Sequence, residues 1–144
     1  MTQTAHRVPT RHRTLRVPHR ASVVSRTRRA VVDDLRSIGV PAEVVDETEI
    51  VVAELLGNSV RHAAPLADGT VRVHWQVKDG VVELDVTDGG GPSTPQLRPQ
   101  PAYATFGRGL RIVRSLAHEW GVQDEERGRT VWVTLGGPSR RRRP

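Results

Sequence analysis

Two alternating segments joined by an Asp-Gly turn constrain the fold of this chain more than any other feature. Apolar residues occupy every second position in both segments: Val71, Val73, Trp75 and Val77 in the first, then Val82, Leu84 and Val86 in the second. A period of two is typical of strands with one buried face, and Asp79-Gly80 is a strong signal for a tight hairpin turn. The pattern predicts an antiparallel hairpin that must bury one face against a second layer.

Helical segments elsewhere in the chain can supply that layer. Apolar residues recur with a helical period in three segments: Ala21 to Ile38, Ala42 to Ala63, and Arg108 to about Glu119. Shorter strand patterns occur at 15–18, 122–124 and 130–135. We therefore predict an α+β fold, a two-layer α/β sandwich with three helices on one face of a mixed, mostly antiparallel sheet.

The composition is that of one globular domain, with 36% hydrophobic and 26% charged residues among 144. The absence of cysteine excludes a disulfide framework and a thiolate metal site, and it agrees with a cytoplasmic location. No apolar run approaches the roughly 20 residues of a membrane-spanning helix, so no membrane partner is expected. We expect the domain to cover residues 15–136, between a basic flexible N-terminal extension at 1–14 and an arginine-rich disordered tail at 137–144.

The formal net charge of +6 raises nucleic-acid binding as an alternative function. The positive charge is concentrated at the two ends of the chain, in Arg7, Arg11, Arg13, Arg16 and Arg20 and in Arg140 to Arg143. Aromatic residues make up only 3% of the chain, so a platform for stacking single-stranded bases is not expected. Nucleic-acid binding through the arginine-rich ends is therefore the less favoured hypothesis.

The second helical segment carries polar residues on one face. Glu54, Asn58 and His62 are spaced four residues apart and share that face. A carboxylate that can receive a proton, close to an amide oxygen that can bind a hard cation, suits chemistry on a metal–nucleotide complex. Taken alone, the same spacing more often describes a solvated helix face. Gly57, within this helix, costs about 1 kcal/mol relative to alanine, and either a close approach or ordinary packing can account for it.

Three glycine-containing motifs follow this helix in a characteristic order. Asp88-Gly89-Gly90 ends the second hairpin strand, Gly107-Arg108-Gly109-Leu110 precedes the third helix, and Gly128-Arg129-Thr130 opens the last strand. With the Glu54–Asn58 helix, they resemble the N, G1, G2 and G3 boxes of the GHKL, or Bergerat-fold, ATP-binding family over roughly residues 15–135. The chain is most similar to the small anti-sigma-factor serine kinases of the RsbW and SpoIIAB kind within that family.

The resemblance assigns roles to the residues of the helix motif. It implies that Glu54 is the general base and that Asn58 coordinates Mg²⁺ through its side-chain oxygen. For His62, contact with phosphate or lid and neutralisation of the helix C-terminus remain equally good interpretations.

The glycine motifs receive roles from the same resemblance. Asp88 would accept a hydrogen bond from the exocyclic amine of adenine, and Gly90 would let the backbone approach the base, although a plain Asp-Gly turn needs no ligand. The start of the third helix would bind the phosphates through Gly107, Arg108, Gly109 and Leu110. Thr130 would close the adenine pocket, or it is simply a β-branched strand residue. The proline-rich segment 92–106 is expected to be a lid or a disordered insert.

The function implied by the resemblance is that of a regulatory protein that binds ATP and Mg²⁺. Such a protein is an anti-sigma factor with serine/threonine protein kinase activity toward an anti-anti-sigma protein of the STAS type. It holds a sigma factor inactive, and a homodimer is possible by analogy. The alternative is a non-catalytic module in which bound ATP only adjusts a protein interface, and the presence of Glu54 argues against that alternative.

Overall fold

The predicted hairpin lies at the centre of a five-stranded sheet. The structure, a computed structural model, describes residues 10–91 and 108–137. The elements follow one another as β1 (Arg11–Pro18), α1 (Val23–Ser37), α2 (Ala42–His62), β2 (Thr70–Lys78), β3 (Val81–Asp88), α3 (Arg108–Leu116), β4 (Glu119–Glu125) and β5 (Gly128–Leu135).

The sheet has the strand order β1-β2-β3-β5-β4, and each of the four pairings among the described residues is antiparallel. The hairpin turn is formed by Asp79 and Gly80, whose φ angles of 53° and 78° match the turn that the Asp-Gly pair predicts. Val77 faces Val82 across the hairpin, so the apolar positions of both strands share one face. The predicted α+β sandwich is confirmed.

The core fills the space between the helices and one face of this sheet. The apolar alternation of β2 and β3 places Val73 and Leu84 there with no exposed surface, and α2 buries Val51 and Leu56 to the same extent. Burial of one such side chain contributes about 1.5–3 kcal/mol. Trp75 is also buried, and its indole Nε1 donates a hydrogen bond to the Asp34 carboxylate of α1 at 2.8 Å. The core therefore fixes α2 directly over the central hairpin.

The first strand begins at Arg11, four residues before the predicted start at Leu15. Its first half has no apolar alternation, because arginine and histidine side chains occupy it. Ion pairs stabilise it instead: Arg11 Nε and Arg13 Nη1 lie 3.0 and 3.3 Å from Oδ1 of Asp34, which is buried at the sheet. The stem of a long arginine side chain can cover apolar surface while its charge remains near water.

The third helix ends at Leu116, before the predicted end at Glu119. The Ala117 N–H still donates to the Val113 carbonyl at 2.8 Å, but the His118 N–H donates to the Thr134 carbonyl in the neighbouring strand. The chain thus enters β4 at Glu119, and that strand is longer than the predicted segment 122–124.

Several predicted segments lie outside the described residues. These are the lid segment at 92–106, most of the N-terminal extension and all but the first residue of the arginine-rich tail. Within 10–91 and 108–137, no helix is both long enough and apolar enough to cross a membrane.

Candidate functional site

The C-terminal half of α2 meets the end of β3 at a buried carboxylate. Asp88 is the last residue of β3 and is 4% exposed. The Ser59 hydroxyl of α2 donates to Asp88 Oδ2 at 2.5 Å, and the Gly90 backbone N–H donates to Oδ1 at 2.8 Å. Each carboxylate oxygen therefore has one fixed partner and retains a second lone pair for another donor.

Burial raises the pKa of the Asp88 carboxyl above its ordinary value of 3.8. The hydrogen bonds from Ser59 and Gly90, together with the positive charges of Arg129 and His19, act in the opposite direction and favour the ionised form. A carboxylate in such a dry position attracts a donor from a ligand strongly, because few water molecules compete for it.

The backbone around this carboxylate is fixed by close packing against the segment that follows α2. The Gly89 N–H donates to the Ala64 carbonyl at 2.7 Å, and the Ala64 N–H donates to the Gly90 carbonyl at 2.9 Å. A Cβ atom on Gly89 would lie 2.1 Å from the Pro65 carbonyl oxygen, so only glycine fits there. Gly90 has a φ angle of 87°, which also favours glycine.

The close approaches of Gly89 and of a further glycine, Gly128, are absent from the sequence prediction, which gave a role at this edge to Gly90 alone. Gly89 is needed for its contact with Pro65, and a Cβ on Gly128 would lie 2.5 Å from the Asp88 carbonyl oxygen. The run of three glycines after Asp88 was the only local signal for the first contact. Nothing near Gly128 indicates its approach to β3.

Asn58 lies next to Ser59 on α2 and is only 3% exposed. Its Oδ1 accepts a hydrogen bond from Arg61 Nη2 at 3.2 Å, whereas its Nδ2 has no hydrogen-bond partner among the described residues. A buried amide donor left unpaired costs about 1–3 kcal/mol, and such groups in native proteins often mark a ligand site. Glu54, one turn earlier on α2, is half-buried.

The donor set around Asn58 fits a metal ion that arrives with a nucleotide. No group of three or more His, Cys, Asp or Glu side chains able to hold a metal exists in the described part of the chain. Mg²⁺ bound to a nucleotide usually takes only one or two protein ligands and completes its octahedron with phosphate oxygens and water. The single amide oxygen of Asn58 meets that requirement once a metal ion replaces Arg61 as its partner.

His62 is the last residue of α2, and its side chain is exposed. The carbonyls at that helix end are met by His19 instead, whose ring Nε2 lies 3.1 Å from the Ser59 carbonyl oxygen and 2.8 Å from that of Ala63. His19 follows β1, about forty residues earlier in the chain, so no local pattern indicates this contact.

Thr130 does not lie beside Asp88. Its hydroxyl is 2.8 Å from the Thr87 hydroxyl, which also accepts a hydrogen bond from Arg72. Strand residues alternate between faces, so Thr87 and Thr130 point away from the helices, whereas Asp88 points toward them. Arg129, not Thr130, is the register partner of Asp88. This position agrees with the alternative interpretation of Thr130 as a β-branched strand residue, and its adenine-closing role stays a prediction.

The motif predicted to bind phosphate is only partly within the described residues. Gly107 lies outside the described residues, and Arg108, Gly109 and Leu110 form the first turn of α3. That helix packs against α2, and its Val113 is fully buried. The third helix therefore adjoins the helix that carries Glu54 and Asn58.

Comparison with known proteins identifies the family of this domain. Residues 17–135 match the histidine kinase-like ATPase domain family. No curated protein sequence gives a significant match.

A solved structure with a TM-score above 0.5 shares the fold. The RsbU and RsbW domains of Rv1364c from Mycobacterium tuberculosis superpose with a TM-score of 0.68 at 20% identity, over 92% of this chain and 34% of that one. The chain thus spans about a third of the length of that protein, and the likeness shows a common fold. The Acinetobacter baumannii histidine kinase AdeS matches with a TM-score of 0.44 at 15% identity, over 87% of this chain and 68% of its own. On the match of the family over 17–135, the chain belongs to the histidine kinase-like ATPase domain family.

Proposed function

We propose that this protein binds ATP together with Mg²⁺ beside the C-terminal half of α2 and transfers the γ-phosphoryl group to a serine or threonine of an anti-anti-sigma protein. The observation that carries the proposal is the adjacency of two buried polar groups. The Asp88 carboxylate is held by Ser59, and the neighbouring Asn58 carries an unpaired amide N–H within the described residues. Family membership supplies ATP as the nucleotide.

The adenine ring is proposed to bind at Asp88. The exocyclic amine of adenine is a hydrogen-bond donor and suits the second lone pair of a carboxylate oxygen. Guanine carries an oxygen at the corresponding position, which the carboxylate would repel. Gly89 and Gly90 leave no side chain between the backbone and the ring plane, and the backbone bonds to Ala64 hold this edge in place.

The triphosphate is proposed to extend along α2 toward Asn58 and the start of α3. The side-chain oxygen of Asn58 would hold Mg²⁺, which neutralises charge on the phosphate oxygens when bound. The first turn of α3, from Arg108 to Leu110, would donate backbone N–H groups to phosphate, helped by the helix dipole. Gly107 and His62 belong to the same proposal, as phosphate or lid contacts.

Glu54 is proposed to accept the proton of the attacking hydroxyl. The hydroxyl oxygen of the substrate serine or threonine bonds to the γ-phosphorus, the bond from that phosphorus to the β,γ-bridging oxygen breaks, and ADP departs. The proton of the hydroxyl passes to the Glu54 carboxylate. The half-buried position of Glu54, one helical turn before Asn58, supports this role because both side chains share the face of α2 near Ser59.

The partners and setting belong to the same proposal. By resemblance, the phosphate acceptor is a STAS-type anti-anti-sigma protein, the protein held inactive is a sigma factor, and two copies of the chain pair as a homodimer. We place the protein in the cytoplasm. We also propose that the ATP-binding domain, predicted at residues 15–136, begins at Arg11, because β1 starts there and pairs with β2. The basic ends at 1–10 and 137–144 are proposed as extensions outside the domain and not as the nucleic-acid site.

The proposal is tested by following ³²P from ATP to a candidate acceptor protein. Wild-type protein should label a serine or threonine of the acceptor, and Glu54→Gln should bind ATP with wild-type affinity but label the acceptor about 100-fold more slowly. ATP binding without labelling by wild-type protein would favour the non-catalytic module. Equal labelling by Glu54→Gln would remove Glu54 from the general-base role.

A further inference from the structure

The positively charged side chain of Arg61 donates a hydrogen bond to the Asn58 oxygen that is proposed to bind the metal. Arg61 lies three residues after Asn58 on α2, and its Nη2 donates to Asn58 Oδ1 at 3.2 Å. Within residues 10–91 and 108–137, the other polar atom of the same amide, Nδ2, has no partner. The orientation of the amide follows from this contact, because a guanidinium can donate but cannot accept.

The helix surface beneath the guanidinium is left open by Gly57. A Cβ atom at this position would lie 3.0 Å from Arg61 Nη1 and 3.5 Å from Nη2. Contact at 3.0 Å is tighter than ordinary van der Waals packing, so a side chain at 57 would push the guanidinium outward. Glycine inside a helix costs about 1 kcal/mol relative to alanine. The space that the Arg61 side chain needs explains why glycine stands at position 57.

We propose that Arg61 is a positioning residue that sets the Mg²⁺ dependence of nucleotide binding. Its guanidinium holds the Asn58 oxygen when Mg²⁺ is absent, and a metal–nucleotide complex binds only by exchanging that hydrogen bond. The inference rests on the proposed function, because it concerns the same nucleotide site.

Two effects on ATP binding follow from the chemistry of the guanidinium. It carries a permanent positive charge and binds phosphate oxygens well, so it stands in for the metal when ATP arrives alone. When Mg²⁺ is present, the same group competes for Asn58 Oδ1. Both effects reduce the ratio between the ATP affinities measured with and without Mg²⁺.

The test is a calorimetric titration of ATP into the full chain, once with excess Mg²⁺ and once with a chelator. Arg61→Met keeps the length of the side chain and removes its charge. It should raise the ratio of the two affinities about tenfold, the effect of losing one hydrogen bond to a charged group. The matched control is Arg36→Met, which removes the same charge from an exposed position on α1 and should leave the ratio unchanged.

A second variant tests the contact without altering any charge. Gly57→Ala retains Arg61 and Asn58 but crowds the guanidinium, and it should raise the same ratio by a few-fold because the hydrogen bond is weakened. Alanine should also favour the helix, so this variant is expected to fold. If Arg61→Met does not fold, Gly57→Ala alone tests the role of the contact. In an Asn58→Ala background, Arg61→Met should have less effect on the ratio, because the shared oxygen is gone.

The proposal is overturned if ATP binds to Arg61→Met and Gly57→Ala with the ratio of the wild type. Failure of the proposed function has a different signature: the wild-type protein would then bind ATP in neither condition. That result would also remove the basis for a role of Arg61 in metal dependence.

Discussion

The Ser59 hydroxyl lies 2.5 Å from Oδ2 of Asp88 and joins α2 to the end of β3 in the interior of the proposed nucleotide site. Both residues are almost completely inaccessible, at 4% exposure each. The residue before Ser59 on α2 is Asn58. The same helical segment therefore holds the Asp88 carboxylate, which is proposed to bind adenine, and carries the proposed metal ligand. This arrangement makes the geometry of the site dependent on the packing of the helix against the sheet.

Ser59→Ala should weaken both the fold and the binding of ATP. The substitution removes a donor from a buried carboxylate, which should lower the free energy of unfolding by about 1–3 kcal/mol. The effect is read from urea unfolding at neutral pH. Ser115→Ala, at an exposed position on α3, is the control and should change the free energy of unfolding by less than about 0.5 kcal/mol. Equal stability of the two variants would show that the Ser59 hydroxyl does not support Asp88.

The raised pKa of Asp88 predicts a specific dependence of stability on pH. The pKa of the carboxyl is higher in the folded protein than its ordinary value of 3.8. At a pH between the ordinary pKa and the folded pKa, the folded state therefore binds more protons than the unfolded state. The contribution of Asp88 to stability is therefore fully present below pH 3.8 and is lost as pH rises through the folded pKa.

Asp88→Asn isolates this contribution, because asparagine does not titrate. The free energy of unfolding of Asp88→Asn minus that of the wild type should increase as pH rises above 3.8 and become constant above the folded pKa. The measurement is a series of urea unfolding curves from about pH 3.5 to about pH 8, a range that begins below the ordinary pKa of Asp. A difference that decreases over this range would mean that burial does not dominate the environment of Asp88.

Gly89→Ala should disturb the site more than any neighbouring glycine substitution. Its Cβ would lie 2.1 Å from the Pro65 carbonyl oxygen, and the contact involves backbone on both sides. Relief of this overlap should cost about 1–3 kcal/mol and displace the edge beside Asp88. Gly91→Ala is the control, since its Cβ would meet only an Arg129 nitrogen at 4.0 Å. The two variants are compared by thermal unfolding, and similar melting temperatures would contradict the close approach at Gly89.

His19→Phe should loosen the C-terminal end of α2. The ring Nε2 of His19 is within hydrogen-bond distance of the Ser59 and Ala63 carbonyls, and phenylalanine keeps the ring while removing both contacts. Loss of these contacts should cost about 0.5–1.5 kcal/mol and increase hydrogen exchange at the Ala63 amide, which is bonded to the Ser59 carbonyl. His12→Phe, on an exposed part of β1, is the control. Unchanged exchange at Ala63 in His19→Phe would contradict a capping role.

The sequence predicts those parts of the fold that depend on local periodicity. The spacing of apolar residues predicts the hairpin around Asp79 and Gly80 and the helix from Ala42, and the structure shows both. The first half of β1 was missed because its stability comes from the ion pairs of Arg11 and Arg13 with Asp34, which is distant in the chain.

The same distinction applies to the site. Asp88 and Asn58 were predicted as site residues from motifs whose order is visible in the linear sequence. The contacts of Ser59 and His19 depend on which residues meet when α2 packs on the sheet, and no spacing encodes them. Thr130 is a different case. It lies an odd number of positions from the buried Val131 and Val133, so the alternation of the strand already places its side chain on the face opposite to Asp88.

Recognition of adenine by Asp88 can be measured by comparing the binding of ATP with that of GTP. Titrations with each nucleotide and Mg²⁺ should show ATP binding at least about 100-fold more tightly to the wild type, because guanine leaves a buried carboxylate unpaired and places an oxygen against it. Asp88→Ala should bind neither nucleotide measurably. Equal affinities of the wild-type protein for ATP and GTP would contradict the account.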